Sequence, residues 1–203
     1  KPGRIMHSKS NKLTHFIICA CVLLSVPGQA RAKVMEYKVK AEMLERFALF
    51  MEWPGSANIE DKSTPFVIAV IGKNPFGLEL EAVFSGRKIR DKEIRIRYLS
   101  TPDEIEDCHV LFISSSEKES LNRIIARTRK RSILTVSDTK GFSEAGVLIN
   151  FYLEKKNIRF EINETAAYES GFYVSYKLLQ LARIIKPRIR PAAGPEPVRN
   201  SGP

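Results

Sequence analysis

The chain has 203 residues, 43% of them hydrophobic, enough for one domain with a sizeable core. Its net charge of +10 would suit a nucleic-acid partner. Yet five Lys or Arg and no acid fall in residues 1–32, and four bases against Glu196 follow Ile185, so the surplus lies largely outside the body and argues against nucleic acid.

The stretch "MHSKSNKLTHFIICACVLLSVPGQARA" has a basic lead (Lys9, Lys12), an apolar run from Phe16 to Val26, and small residues at Ala30 and Ala32. This is the pattern of a secretory signal peptide, residues 1–32, cleaved after Ala32. The run is shorter than the ~20 residues that a bilayer-spanning helix needs; an uncleaved anchor is the alternative. Residues 1–5 precede Met6 and read as untranslated or as a tag. Residues 33–185 are then the expected domain, and the Pro-rich, basic residues 186–203 a disordered tail.

Within the body, Tyr37, Ala41, Leu44, Ala48 and Met51 recur at spacings of four and three, which predicts an amphipathic helix ending at "EWPG". "PFVIAVIG" (65–72) is a continuous apolar run, as in a strand covered on both faces. Asn74 and Pro75 then open a short helix to Phe84. "EIRIRYLS" (93–100) alternates as a strand nearer the sheet edge does, "HVLFIS" (109–114) is another buried strand, and Ser116 with Glu117 and Glu119 opens a helix to about Lys130. "ILTVSD" (133–138) is a strand. "GVLINFYLEKKNIRFEIN" reads as two strands joined by a polar turn at 154–157. One long helix is expected from Glu164 to Ile185, its stripe running through Ala167, Gly171, Val174, Leu178, Leu181 and Ile185. Alternating strands and helices imply an α/β fold in three layers: a mostly parallel sheet with helices on both faces and a C-terminal antiparallel hairpin.

Catalytic chemistry is hard to assemble from these residues. Cys19 and Cys21 leave with the leader, so Cys108 is the mature chain's one thiol and no internal disulfide forms. His7 and His15 leave too, and His109 stands alone. Cys108 and His109 are adjacent strand residues and point to opposite faces, a poor geometry for a nucleophile–base dyad. One His and one Cys make no zinc or other metal cluster. "GKNPFG" (72–77) lacks the Lys-Ser/Thr that completes a phosphate loop. The acids Asp103, Glu104, Glu106 and Asp107 read as a solvated connection. The expectation is a protein that is not an enzyme and holds neither cofactor nor metal.

Seven segments carry a resemblance. "FALFMEWP" (47–54), "FVIAVIGKNPFG" (66–77), "GRKI" (86–89), "CHVLFIS" (108–114), "ILTVSD" (133–138), "GVLINF" (146–151) and "FEINETAAYESGFYVSYKLLQLA" (160–182) come in the order seen in the YfiR family. The resemblance spans roughly Tyr37 to Ile185. It implies a periplasmic regulator of Gram-negative bacteria that binds the periplasmic sensor domain of an inner-membrane diguanylate cyclase and represses it, lowering cyclic di-GMP and biofilm formation. No kinase or cyclase module follows Ile185, which favours the stand-alone role. The disulfides of well-known members are not carried over, because only Cys108 remains.

Two surfaces are candidates. Phe47, Phe50, Trp53, Phe172, Tyr173 and Tyr176 exceed what one core-facing stripe can hide, and are expected to bind the partner. Packing of the two helices on each other, or across a homodimer, is the alternative. A small-molecule-sensing pocket at the strand C-terminal ends would use Gly72, Lys73, Asn74, Ser137 and Asp138, with Arg87 added as a further ligand contact. Arg159 and Glu161 would join a ligand or partner surface, while Asn163 caps a helix and Phe160 and Ile162 enter the core.

Overall fold

The computed structural model describes residues 28–185, with side chains described from Arg31 onward. Most of the expected signal peptide and the whole expected tail lie outside the described residues.

The first helix, α1, runs from Gly28 to Phe50. It begins nine residues before the expected start and passes through the predicted cleavage point, because 29–50 holds many good helix formers and neither Gly nor Pro. Lys40, Ala41, Leu44, Phe47 and Ala48 are its buried positions, a stripe at helical spacing. A two-residue strand β1 (Met51–Glu52) follows directly.

The remaining elements are β2 (Phe66–Ile71), α2 (Glu79–Phe84), β3 (Lys88–Ile89), β4 (Lys92–Leu99), β5 (Val110–Ile113), α3 (Leu121–Thr128), β6 (Leu134–Ser137), β7 (Ile149–Glu154), β8 (Asn157–Asn163), α4 (Glu164–Glu169), β9 (Tyr173–Val174), α5 (Tyr176–Leu179) and β10 (Arg183–Ile185). Eight strands form one sheet in the order β10-β8-β7-β6-β5-β2-β4-β3. Strands β7, β6, β5, β2 and β4 are mutually parallel. The β7–β8 hairpin is antiparallel, and β10 returns parallel to β8. Lys155 and Lys156 both adopt left-handed φ in the hairpin's two-residue loop, whose twist matches that of the strands.

The apolar run of β2 serves two cores at once. Phe66, Ile68 and Val70 enter a cluster with α1, α2, α4 and α5. Val67, Ala69 and Ile71 enter a second cluster with Leu121, Ile124 and Ile125 of α3. This is the period-two division of a strand buried on both faces. The fold is the expected α/β architecture with helices on both faces of a mostly parallel sheet.

Other elements differ from expectation too: the helix expected from Ser116 to about Lys130 is confined to Leu121–Thr128. The second helix begins at Glu79, because Asn74 is spent on the preceding turn: its side chain accepts from Phe76 N at 2.9 Å and donates to the Gly77 carbonyl at 3.0 Å. The long C-terminal helix is four short elements. Gly171, at φ +78°, ends α4 with Gly171 N bonded to Tyr168 O at 3.0 Å and Phe172 N to Ala167 O at 2.9 Å. That pair of bonds is a Schellman cap. The chain then leaves the helical path, pairs briefly with β1, and the described residues close with the edge strand β10.

Candidate functional site

Strands β1 and β9 form a separate antiparallel ribbon, with Met51 opposite Val174 and Glu52 opposite Tyr173. Met51 is fully buried and Val174 packs on the same core. By alternation, Glu52 and Tyr173 face outward. Gly171 is required here: a side chain on it would press on Pro54, 3.2 Å from the Cβ position. The ribbon thus joins the end of α1 to a segment about 120 residues later.

The six aromatics expected at a partner surface divide into three groups. Phe47 and Phe172 are core residues and are corrected as such, being 1% and 3% exposed. Phe47 packs on Phe151 and Phe160 with ring centres 5.5 and 5.0 Å apart, because it shares the stripe of Leu44 and Ala48 rather than the helix flank. Each such buried ring stabilises the fold by about 1.5–3 kcal/mol. Trp53 is half-buried, donating from Nε1 to Ala48 O at 2.8 Å and meeting Phe66 and Phe172 edge to face. Phe50, Tyr173 and Tyr176 are at the surface, 40%, 68% and 73% exposed. Leu49 is also exposed, a position passed over in the sequence because a Leu beside a Phe pair reads as core.

The eight residues expected at a ligand site do not converge. At the C-terminal ends of the strands, Ser116 Oγ accepts from Lys73 N at 2.9 Å and Ser114 Oγ donates to Lys73 O at 2.8 Å. A Cβ at Gly72 would overlap Ser116 and Glu117, so the switch-point crevice between β2 and β5 is already filled. Ser137 is fully buried and donates to Ile113 O at 2.8 Å. Asp138 accepts from Tyr37 Oη and from Lys40 Nζ, both at 2.7 Å, and Lys40 also reaches Glu36 at 2.5 Å. Burial, then the bond to Asp138, holds the Tyr37 phenol well above its ordinary range. This network anchors α1 on the sheet. Arg87 pairs with Glu45 at 2.9 Å and Arg159 with Glu154 at 3.6 Å, both on the surface. Glu161 is only 3% exposed and is bound by Asn150 and Arg183, so in place of the ligand or partner surface expected there it forms an internal clamp. Asn163 accepts from Ala166 N at 2.9 Å, capping α4, and donates to Ser143 O at 2.7 Å.

A cavity of about 590 Å³ lies instead at the N-terminal edge of the sheet, beside Val67, Arg95, Cys108, His109, Arg131 and Ile133. Cys108 packs in the α3-side cluster, whereas the His109 ring stacks on Phe66 of the other face at 4.5 Å. Burial pushes the Cys108 thiol up to about 12. Burial, followed by the charge of Lys92, lowers His109 to about 4. His109 Nδ1 accepts from Val67 N at 3.0 Å, so Nε2 carries the proton of the neutral ring. Neither group is placed to activate the other.

These features define an α/β domain that carries a short separate ribbon flanked by aromatic side chains. The chain belongs to the YfiR/HmsC-like family, which it matches over residues 37–183. The family is one of periplasmic regulators of diguanylate cyclase signalling, regulatory rather than enzymatic. No curated protein matches the chain. Among solved structures, the ABC domain in complex with L-Trp from Streptococcus pneumonia is 9% identical, with a TM-score of 0.47 over 65% of this chain and 60% of that one. A conserved domain protein from Vibrio cholerae is 11% identical, with a TM-score of 0.46 over 66% of this chain and 60% of that one. The chain therefore spans about 60% of the length of either structure. No helix among the described residues is long and apolar enough to cross a membrane.

Proposed function

We propose that the mature chain, from Lys33, folds as one periplasmic domain over 33–185, binds the periplasmic sensor domain of an inner-membrane diguanylate cyclase and holds that enzyme inactive. Cyclic di-GMP, and with it biofilm formation, falls as a result. The observation that carries this reading is the β1–β9 ribbon. Its register turns Tyr173 outward opposite Glu52, two residues after the exposed Phe50, and the exposed Tyr176 follows in the chain. Exposed aromatics on a rigid support are favoured anchors of protein interfaces, because two side-chain torsions order a large contact area.

The test is reconstitution. The exported chain is mixed with the periplasmic domain of a cyclase encoded beside its gene, and binding is measured by calorimetry; cyclic di-GMP is measured in cells with and without the gene. Binding together with raised cyclic di-GMP on deletion supports the proposal. Lack of binding, or an unchanged cyclic di-GMP level, overturns it.

A further inference from the structure

The charges around the N-terminal cavity have no role in the repressor reading, and they gather from distant parts of the chain. Arg95 comes from β4, and Lys130 and Arg131 from the loop after α3. Among the described residues, neither Arg95 nor Lys130 forms an ion pair. Arg131 is held loosely, 3.4 Å from Ile105 O and 3.8 Å from a fully exposed Asp107. Surface arginines normally have solvent on every side; these border one concavity.

The wall facing them is built in advance. Lys92 is fully buried and donates to Asn58 O at 3.1 Å, Asp61 O at 2.6 Å and Thr64 Oγ1 at 3.0 Å. It thereby fixes the 58–64 loop, whose Asn58 and Thr64 line the cavity. Ser56 Oγ and Ser132 Oγ, 2.7 Å apart, join that wall to the loop carrying Arg131. A lysine buried on neutral oxygens also adds positive potential that water screens poorly. The remaining lining is mixed: Val67, Ile133 and the Cys108 thiol are uncharged and largely apolar, while Glu106 and Asp107 bring two carboxylates.

We propose that this cavity binds a small organic monoanion, its acid group on Arg95 and Arg131 and its apolar body against Val67 and Ile133. Four observations support this ligand class. The volume lies within the ~300–1,000 Å³ of small-molecule sites. The guanidinium fork matches a carboxylate through two parallel hydrogen bonds. Three bases against Glu106 and Asp107 leave a small positive balance, which suits one negative charge better than a polyanion. The fixed wall lowers the ordering cost of binding. The site is independent of the partner ribbon and stands or falls without the cyclase.

The test is an NMR titration of the isotope-labelled chain with benzoate, with benzylamine as the cation of similar shape and inorganic phosphate as an anion without an apolar body. Saturable shifts with benzoate at the amides of Val67, Cys108 and Ile133, with phosphate at least about tenfold weaker, support the proposal. Arg95→Gln with Arg131→Gln is expected to weaken benzoate about tenfold or more. Benzylamine binding as well as benzoate, phosphate matching it, shifts confined to other surfaces, or no saturation at all would each overturn it, as would full binding by the double arginine variant.

Discussion

Arg183 on the edge strand β10 donates from Nε at 3.0 Å to Glu161, a carboxylate almost wholly buried in the neighbouring strand β8. Arg183 NH2 makes a second contact to the same oxygen, Asn150 bonds the other oxygen at 3.2 Å, and the guanidinium lies over Tyr152 at 4.0 Å. Beyond its backbone pairing with β8, the strand is thus fastened by one cation, which the carboxylate in turn holds protonated above its ordinary range.

Removing the cation should therefore cost more than removing the charge it balances. Arg183→Ala leaves Glu161 buried with only Asn150, a loss of about 2–4 kcal/mol, below the full cost of breaking a buried pair because the arginine is half exposed. Glu161→Gln keeps a polar acceptor for Arg183 and should cost about 1–2 kcal/mol. Adding Glu161→Gln to Arg183→Ala should restore part of the stability. Urea midpoints of the three variants check this order, and a double variant weaker than Arg183→Ala alone would remove the clamp from the account.

His109 gives the fold a definite acid limb. Its folded value is lowered from the ordinary 6.5 to about 4, so between those values the unfolded chain binds the proton and the folded one does not. Its contribution is fully present above about 6.5 and lost as pH falls toward about 4. His109→Phe should flatten the stability profile across that window. An acid limb as steep as the wild type's would assign it to other groups.

Cys108 should be chemically silent while the chain is folded. Its thiol is 6% exposed and raised by burial to about 12, so little thiolate exists at neutral pH. Alkylation at pH 8 should be slow in buffer and fast in urea, and Cys108→Ser should cost about 1 kcal/mol. Rapid labelling of the native protein would show that the strand end opens.

The sheet was largely legible because its central strands are apolar on both faces: "FVIAVI" admits no exposed side, and the turn residues that follow it end the run. The C-terminal segment was not. Ala167, Gly171, Val174 and Leu178 keep helical spacing, yet Gly171 adopts the left-handed conformation and the segment breaks there. "YESGF" was the readable sign, a Gly followed by an apolar residue, as a Schellman cap requires. With the helix gone, Phe172 turns inward and Tyr173 outward through ribbon pairing with Met51–Glu52, a long-range contact that local periodicity does not encode. The polar strand ends were legible as residues but not as a site, because Lys40 and Tyr37 from α1 occupy Asp138. The N-terminal cavity left no signal either, since its walls come from four segments separated in sequence.

The ribbon separates an exposed face from the core at adjacent positions, with Tyr173 outside and Phe172 inside. Phe47→Ala removes a ring packed between Phe151 and Phe160 and should destabilise by about 3–5 kcal/mol. Tyr173→Ala removes a ring that is 68% exposed and should leave the melting temperature nearly unchanged. If the ribbon meets the cyclase, Tyr173→Ala and Phe50→Ala should each weaken that complex by about 1–3 kcal/mol and raise cyclic di-GMP in cells. Tyr176→Ala, on the adjoining α5, should act in the same direction. Affinity and melting temperature measured on the same preparations decide the matter, because an interface ring changes the first and a core ring the second. Full affinity in both Tyr173→Ala and Phe50→Ala would place the partner surface elsewhere on the domain.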